Sequence, residues 1–561
     1  MKKNAIALLL GLVATVAALP ALAFVGTETL GTNDGNPLAV FNQNTSRTLS
    51  PDTLYTLYGQ YYVEAGQTLT IPAGTVIQGV PAATLIVKPG STINAAGTWD
   101  KPIIFTSSEA PGNRLAGDWG GVVILGRARV NQLNPIIEGG IISQGTYGGT
   151  DDDDNSGVFK YVRIEYPGYR FALNNEINGL TLGGVGRGTE IHHIQVSYAD
   201  DDSYECFGGT VNLHHIVAFG GTDDDFDTDF GYRGKVQFAF ALRDPNTWDP
   251  TGESNSFESD NDGSGTSAWP QTAPVYSNVT SVGPLYVVDP LPVGQRYQHA
   301  ALIRRNSRTS IFNSVIAGFP RGISLRNLSV NKAYEDTLRF ENNEITGNYE
   351  YAANMIHDRA NWNSAAGIPD NILGTWFLAR ANLDTIVRVP SVVGLGASIS
   401  LNSPDAVPQA GSVLIGSADW TDSYLADPYF QQVSYRGAFD PALPMSRQWT
   451  AWWTNFNPQD ADYSMPASAV GGTPELRVTL GNQPNPFNPS TTIKFSVPKA
   501  GRAALEVFDL RGHKVASLVD GELAAGDHAL QFSGEGLPSG TYFYRLSGDG
   551  YQVTEKMQLV K

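Results

Sequence analysis

The segment His192–Gly234 repeats itself, and that repeat limits what the chain can fold into. One copy reads HHIQVSYADDDSYECFGG from His192, and the next reads HHIVAFGGTDDDFDTDFG from His214. The His pairs lie 22 residues apart. The triplets Asp200–Asp202 and Asp223–Asp225 lie 23 apart, as do Phe207-Gly208 and Phe230-Gly231. A period near 22 predicts a solenoid whose repeats are single coils stacked on one another. Short alternating runs punctuated by Gly and Pro extend the pattern on both sides: LYTLYGQYYVEAGQTLTIPAGTVIQG from Leu54, FKYVRIEY from Phe159, VQFAFALRD from Val236, VYSNVTSV from Val275 and SIFNSVIAGF from Ser310. Runs of this length without a helical period read as strands. The expected fold class is all-β: a right-handed parallel β-helix followed by a small C-terminal β-sandwich.

The segments follow from composition shifts. Lys2-Lys3, the apolar run 5–19 and the small residues Ala21-Leu22-Ala23 predict a signal peptide over 1–23, cleaved between Ala23 and Phe24. No Cys follows that site to carry a lipid, and no later run is long and apolar enough to span a bilayer. Residues 24–50 read as a loose lead-in and 51–457 as the β-helix body. Residues 244–265 read as a projecting loop. Residues 349–381 carry enough Ala, Leu, Met and Arg for short helices. With Tyr435–Phe456 they are expected to cap the open end of the solenoid, with Trp449, Trp452 and Trp453 either plugging it or stacking on sugar rings. Residues 458–474 read as a linker and 475–561 as a small β-sandwich module, with strands IKFSV, ALEVFDL, HALQF and TYFYRL between Gly turns.

Charge narrows the partners. The net charge is −18, and residues 475–561 carry nine acidic and nine basic side chains, so the excess lies in the body. Such a body argues against nucleic acid or an anionic membrane surface and for divalent cations. The single cysteine, Cys206, excludes an intramolecular disulfide and a Cys-based zinc site.

Two resemblances add to this reading. The C-terminal module resembles the sorting domain of type IX secretion cargo, related to the immunoglobulin-like domain of flagellar hook-capping proteins. The residues that carry it are Pro484, Asn485, Pro486, Phe487, Asn488 and Pro489, then VFDLRG from Val507, PSGTY with Gly540, and the ending KMQLVK from Lys556. The resemblance implies recognition by an outer-membrane secretion machinery. The body is similar to a family of secreted or surface bacterial β-helix proteins through GDWGGVVILG from Gly117, YVRIEY from Tyr161, Asp223–Gly231 and FESDND from Phe257. That resemblance implies the fold and supplies no activity.

The acidic turns are the candidate site. Strand alternation would place Asp225, Asp227 and Asp229 on one face, with Phe226, Thr228 and Phe230 turned to the core. Glu205 would join from the coil below, Asp223 from the turn, and Glu258, Asp260 and Asp262 from the next acidic run. Hard oxygen ligands of this kind suit Ca²⁺. Like charges stacked about 4.8 Å apart also repel unless counterions intervene. The run is not an EF-hand, because Phe230 stands where that loop needs Gly. The His pairs should stack, His192 on His214 and His193 on His215. Strict alternation would split each pair between faces and leave no third metal ligand. The expected function is a secreted or surface-displayed structural or adhesive binding module, stabilised by Ca²⁺, with a polysaccharide or cell-surface ligand. The alternative is a Ca²⁺-dependent polysaccharide lyase or glycoside hydrolase, for which Arg163, Arg233 and Arg243 are candidate bases by residue type.

Overall fold

The structure, a computed structural model, describes residues 23–139, 141, 144–172, 175–347, 376–380, 382–385, 393–395, 399–464, 480–497, 501–523, 526–548 and 551–561. Residues up to Val470 form one compact unit and those from Gly471 another. The first is a right-handed parallel β-helix. Its strands build a 17-stranded and a 10-stranded sheet, and every pairing between them is parallel.

Alternation sorts the side chains as the sequence pattern demands. In the smaller sheet one inward column runs Phe41, Tyr61, Leu85, Val122, Leu180, Tyr204, Phe226, Phe257, Ala301, Ile323. Facing it, Phe159, Ile191, Leu213, Val236, Tyr276, Ile311 and Phe340 stack in the larger sheet. These columns are the core. Cys206 is buried in it as a small packed residue.

A third column bends the coils. Tyr161, His193, His215, Phe238, Asn278, Asn313 and Asn342 all have positive φ, between 49° and 57°. Each interrupts a strand at the same height, so one continuous strand serves two faces of its coil. Asn adopts this conformation at lower cost than other non-Gly residues. Here its amide also ties down the C-terminal segment: Asn278, Asn313 and Asn342 donate to the carbonyls of Tyr435 (2.9 Å), Asp419 (2.8 Å) and Ser417 (2.7 Å).

Several expectations change. Residues 24–50 are not a loose lead-in: Gly26–Gly31 and Val40–Gln43 pair with Thr53–Tyr58 and Gln60–Val63 as the first coil. Their polar composition reflects an end coil with one covered side. The stretch 244–265 is not wholly a projecting loop, since Phe257–Ser259 is a ladder strand. Tyr435–Phe456 does not plug the end. It runs along the outside of the solenoid, where Trp449 and Trp453 pack on His193, His215 and Tyr161. The packed part of the body continues beyond residue 457. Pro458 is buried, its carbonyl takes Arg114 Nη1 at 2.6 Å, and Tyr463 OH donates to Glu165 Oε1 at 2.8 Å. The expected helices at 349–381 lie almost wholly outside the described residues, although Trp376 and Phe377 are buried in the main core. The expected signal segment, apart from Ala23, also lies outside them. Phe24 packs beside Val76 and Ile104.

The second unit is a sandwich of two antiparallel sheets. Leu480–Gln483, Ser490–Val497 and Gly526–Ser533 form one. Lys514–Leu523, Gly501–Phe508, Gly540–Gly548 and Tyr551–Leu559 form the other. Ile493, Phe495, Leu505, Val507, Tyr544, Leu546 and Leu559 fill the space between.

Candidate functional site

The column next to the inward one in the smaller sheet faces outwards, and its chemistry changes along the solenoid. It runs Tyr62, Ile86, Val123, Thr181, Glu205, Asp227, Glu258, Leu302. The first three are apolar because Val130, Ile137, Ile141 and Tyr147 cover them. Past that cover the column becomes acidic at three consecutive rungs. The preceding turns add Asp201, Asp202 and Asp223.

These carboxylates converge. One oxygen each from Asp202, Glu205 and Asp227 lie within 4.8 Å of one another, and so do those of Asp201, Asp202 and Asp223. Asp202 belongs to both groups. Asn178 donates through Nδ2 to Glu205 Oε2, and to Glu138 at 3.3 Å. Thr181 is 1 % exposed, and its hydroxyl has no hydrogen-bond partner beside Glu205 in the register. Asp223 Oδ1 and Asn178 Oδ1 are likewise buried without one. Burial, then repulsion from neighbouring carboxylates, holds Asp202, Glu205, Asp223, Asp227 and Asp229 well above the usual carboxylate range.

Several acidic groups elsewhere on the body are neutralised. Asp152 is paired with Arg129 (2.6 Å) and Arg233 (3.0 Å), Asp154 with Arg127 (2.8 Å) and Asp200 with Arg170 (2.8 Å). Among the described residues, no Lys or Arg forms an ion pair with Asp201, Asp202, Glu205, Asp223, Asp227 or Asp229. Glu258, at the top of the column, does take Arg304, which also holds Asp260 at 3.0 Å. Arg305 reaches Asp260 at 2.6 Å.

The residues expected to act together therefore divide. Glu205 and Asp227 meet at Asp202, and Asp223 joins Asp202 in the second group; Asp229 is one step along the same face as Asp227. Glu258 and Asp260 are engaged by arginine. Asp262 organises its own loop, accepting from Ser264 N (2.9 Å) and Thr266 N (3.1 Å). Asp225 does not share the face. The strand begins at Phe226, and Asp225 is fully buried with Oδ1 3.0 Å from Nε of the fully buried Arg243. Burial raises its carboxyl to about 6, against the pull of Arg243. Phe230 also departs from alternation. Its φ of 48° turns it outwards onto Phe207. Asp201 and Asp202 were missed as ligands. The 23-residue spacing of the Asp triplets sets Asp202 against Asp225, whereas the strands pair at 22 and put it beneath Asp224, whose backbone N–H it accepts at 2.8 Å.

The candidate bases lie elsewhere. Arg243 is sealed with Asp225, Arg233 is held by Asp152, and Arg163 lies 3.2 Å from Glu165. Arg304 is the guanidinium nearest the column. Burial opposes its charge, but Glu258 and Asp260 outweigh that and raise its pKa.

In the C-terminal unit the motif is held for display. Phe487 is buried and its N–H donates to Gln558 O at 2.9 Å, whereas Pro484, Asn485, Pro486, Asn488, Pro489 and Lys556 are exposed. Asn485 Oδ1 accepts from Gln558 N at 2.8 Å and its amide donates to Lys556 O at 3.2 Å. Gly540 opens the strand that pairs with the terminal one.

Residues 41–368, more than half of the chain, match the family described as the pectate-lyase-like β-helix domain. Residues 483–560 match the secretion system C-terminal sorting domain. Among curated proteins and among solved structures no match is found. No helix among the described residues is long and apolar enough to cross a membrane. The chain belongs to the pectate-lyase-like β-helix family, and its type IX sorting domain directs it to secretion and the cell surface.

Proposed function

We propose that this is a surface-displayed binding protein whose β-helix is stabilised by Ca²⁺ at the Asp202–Glu205–Asp227 centre. The observation that carries the reading is the cluster of half-buried or buried carboxylates left without cations in a body that pairs Asp152, Asp154 and Asp200 with arginine. Ca²⁺ takes six to eight oxygens. Asp202, Glu205 and Asp227 offer carboxylates, the Thr181 hydroxyl and the Asn178 amide oxygen lie beside them, and water would complete the set. Asp201 and Asp223 extend the negative field along the turn.

The ligand surface is a groove of ≈ 480 Å³ lined by Asn402, Ser403, Met445, Trp452, Asn455 and Asn457. Trp452 is 38 % exposed there, in a left-handed conformation with φ 79°. Non-Gly residues held in left-handed conformations cluster at functional sites. A Trp face with surrounding amides and a hydroxyl suits a sugar ring. Trp449 and Trp453 pack on the body instead.

Binding is favoured over cleavage because Arg304, the arginine that pairs with Glu258 in the acidic column, is held in its charged form. A lyase base would need the reverse. The family and the acidic column keep a Ca²⁺-dependent lyase as the second reading. Incubating the purified chain in Ca²⁺ with acidic and neutral polysaccharides separates the two. Retention without cleavage is expected, and Trp452→Ala should weaken it about 2- to 10-fold, an aromatic contact being worth about 0.5–1.5 kcal/mol. Unsaturated or reducing products would establish the lyase reading.

The sorting domain gives an independent expectation. Deleting Pro484–Lys561 should leave a folded body retained within the cell envelope, followed by fractionation and protease shaving. Normal surface delivery of the truncated protein would refute the sorting role.

A further inference from the structure

The His pairs are not split between faces. His193 and His215 occupy the left-handed corner column, with φ 54° and 56°, so each turns back beside its predecessor. His192 Nδ1 lies 2.7 Å from His193 Nδ1, and His214 Nδ1 lies 2.8 Å from His215 Nδ1. The pairs stack across consecutive coils. His192 lies over His214 and His193 over His215, each with ring centroids 4.6 Å apart. One ligand nitrogen each from His192, His193 and His214 falls within 4.8 Å of the others.

We propose that these four imidazoles form a second metal site, independent of the acidic column, for a divalent transition metal of the copper(II) class. Three features carry this. The first is the bite. Two nitrogens bound cis at 90° with bonds of about 2.0–2.1 Å stand about 2.9 Å apart, whereas a tetrahedral pair stands about 3.4 Å apart. The 2.7 and 2.8 Å separations, spanned by a shared proton in the absence of metal, lie nearer the tetragonal bite than the tetrahedral one. The second is orientation. His192 Nε2 lies 3.0 Å from Glu190 Oε1. A carboxylate at that nitrogen fixes the proton there and leaves the Nδ1 lone pair for a metal. Lys160, 2.8 Å from the same Glu190 oxygen, keeps the carboxylate ionised. The third is confinement. Tyr161 stacks under His193 at 4.4 Å and Phe238 over His215 at 5.0 Å, while Trp449 and Trp453 wall the corner. The His192 side chain remains 15 % exposed, so the site is open on that side.

Burial, and for His214 and His215 also the neighbouring imidazoles, lowers the pKa of His192, His214 and His215, with His214 at about 4. The charged groups facing the quartet are Glu190 and Lys160, with Tyr429 beside His214. On binding, the metal takes the place of the proton shared within each Nδ1 pair, which moves to Nε2 of its ring. The two pairs tip towards each other along the stack.

The test uses the full chain, stripped with chelator and returned to excess Ca²⁺, then titrated with Cu²⁺ alone. One tight equivalent is expected, with a tetragonal electron paramagnetic resonance spectrum showing coupling to at least three nitrogens. His192→Ala/His214→Ala should weaken binding roughly 100-fold or more and Glu190→Gln about 10-fold, while Asp202→Asn/Glu205→Gln/Asp227→Asn retains it. The nitrogen coupling is read on the unaltered protein, so it stands even where the double variant folds poorly. Oxygen-dominated coordination, or equal affinity in a folded double variant, would overturn the proposal.

Discussion

Chelating Ca²⁺ should lower the melting temperature of the body by about 5 °C at neutral pH. At a Ca²⁺ concentration near 100 times its dissociation constant, binding to the folded state alone contributes about 2.7 kcal/mol, and a large domain shifts about 2 °C per kcal/mol. The pH dependence gives the effect a sign that a merely solvated acidic turn would not have. Asp202, Glu205, Asp223 and Asp227 are held well above the usual carboxylate range, Asp224 is raised to about 7 and Asp225 to about 6, in each case chiefly by burial. A carboxyl whose folded value is raised contributes stability that is fully present below its unfolded value. That contribution is lost as pH rises through the folded one. In chelator the protein should therefore melt higher at pH 5 than at pH 8. With Ca²⁺ present the difference should shrink or reverse, because the ion binds the deprotonated acids. Asp202→Asn/Asp227→Asn should raise the pH 8 melt in chelator and abolish the response to Ca²⁺. A melt indifferent to chelator and pH would leave the column a solvated acidic face.

Arg243→Met should destabilise the body by about 3–5 kcal/mol, the range for removing one partner of a buried ion pair. Arg243 and Asp225 are both wholly inaccessible, 3.0 Å apart. The guanidinium also donates to the carbonyls of Gly221 (2.9 Å) and Asn255 and lies over the Tyr297 ring. Methionine fills much of the volume but strands Asp225 and two carbonyls. Adding Asp225→Asn should recover part of the loss and leave the share due to the carbonyls. Denaturant midpoints of the four proteins close the cycle. If Asp225→Asn further destabilises the Arg243→Met protein, the pair is not the source of the cost.

The inward columns were legible because period-two alternation is enforced wherever one face is buried, and Phe226 and Thr228 fell where the pattern put them. What alternation could not show is where it stops. A left-handed residue inverts it, and nothing in the letters of His193 or Phe230 marks them as such, in contrast to the Asn corners at 278, 313 and 342. That one device misplaced Phe230 and hid the His quartet. Asp225 was misread for a related reason: it lies just outside the strand, in a turn whose geometry is set by the next coil, where Arg243 waits. Within the acidic site Glu205, Asp223 and Asp227 were legible from the repeat. Asp202 was not, because its role depends on stacking beneath the following turn. The first coil and the run of Tyr435–Phe456 along the solenoid depend on long-range packing that local composition does not encode.

The central claim is that the Asp202–Glu205–Asp227 column binds Ca²⁺. Calorimetric titration of the chelator-stripped full chain with Ca²⁺ tests it most directly, with Asp202→Asn/Glu205→Gln/Asp227→Asn alongside. Saturable binding in the unaltered protein that is lost in a folded triple variant is the predicted result. No binding in the unaltered protein, or the same isotherm in both, would contradict it.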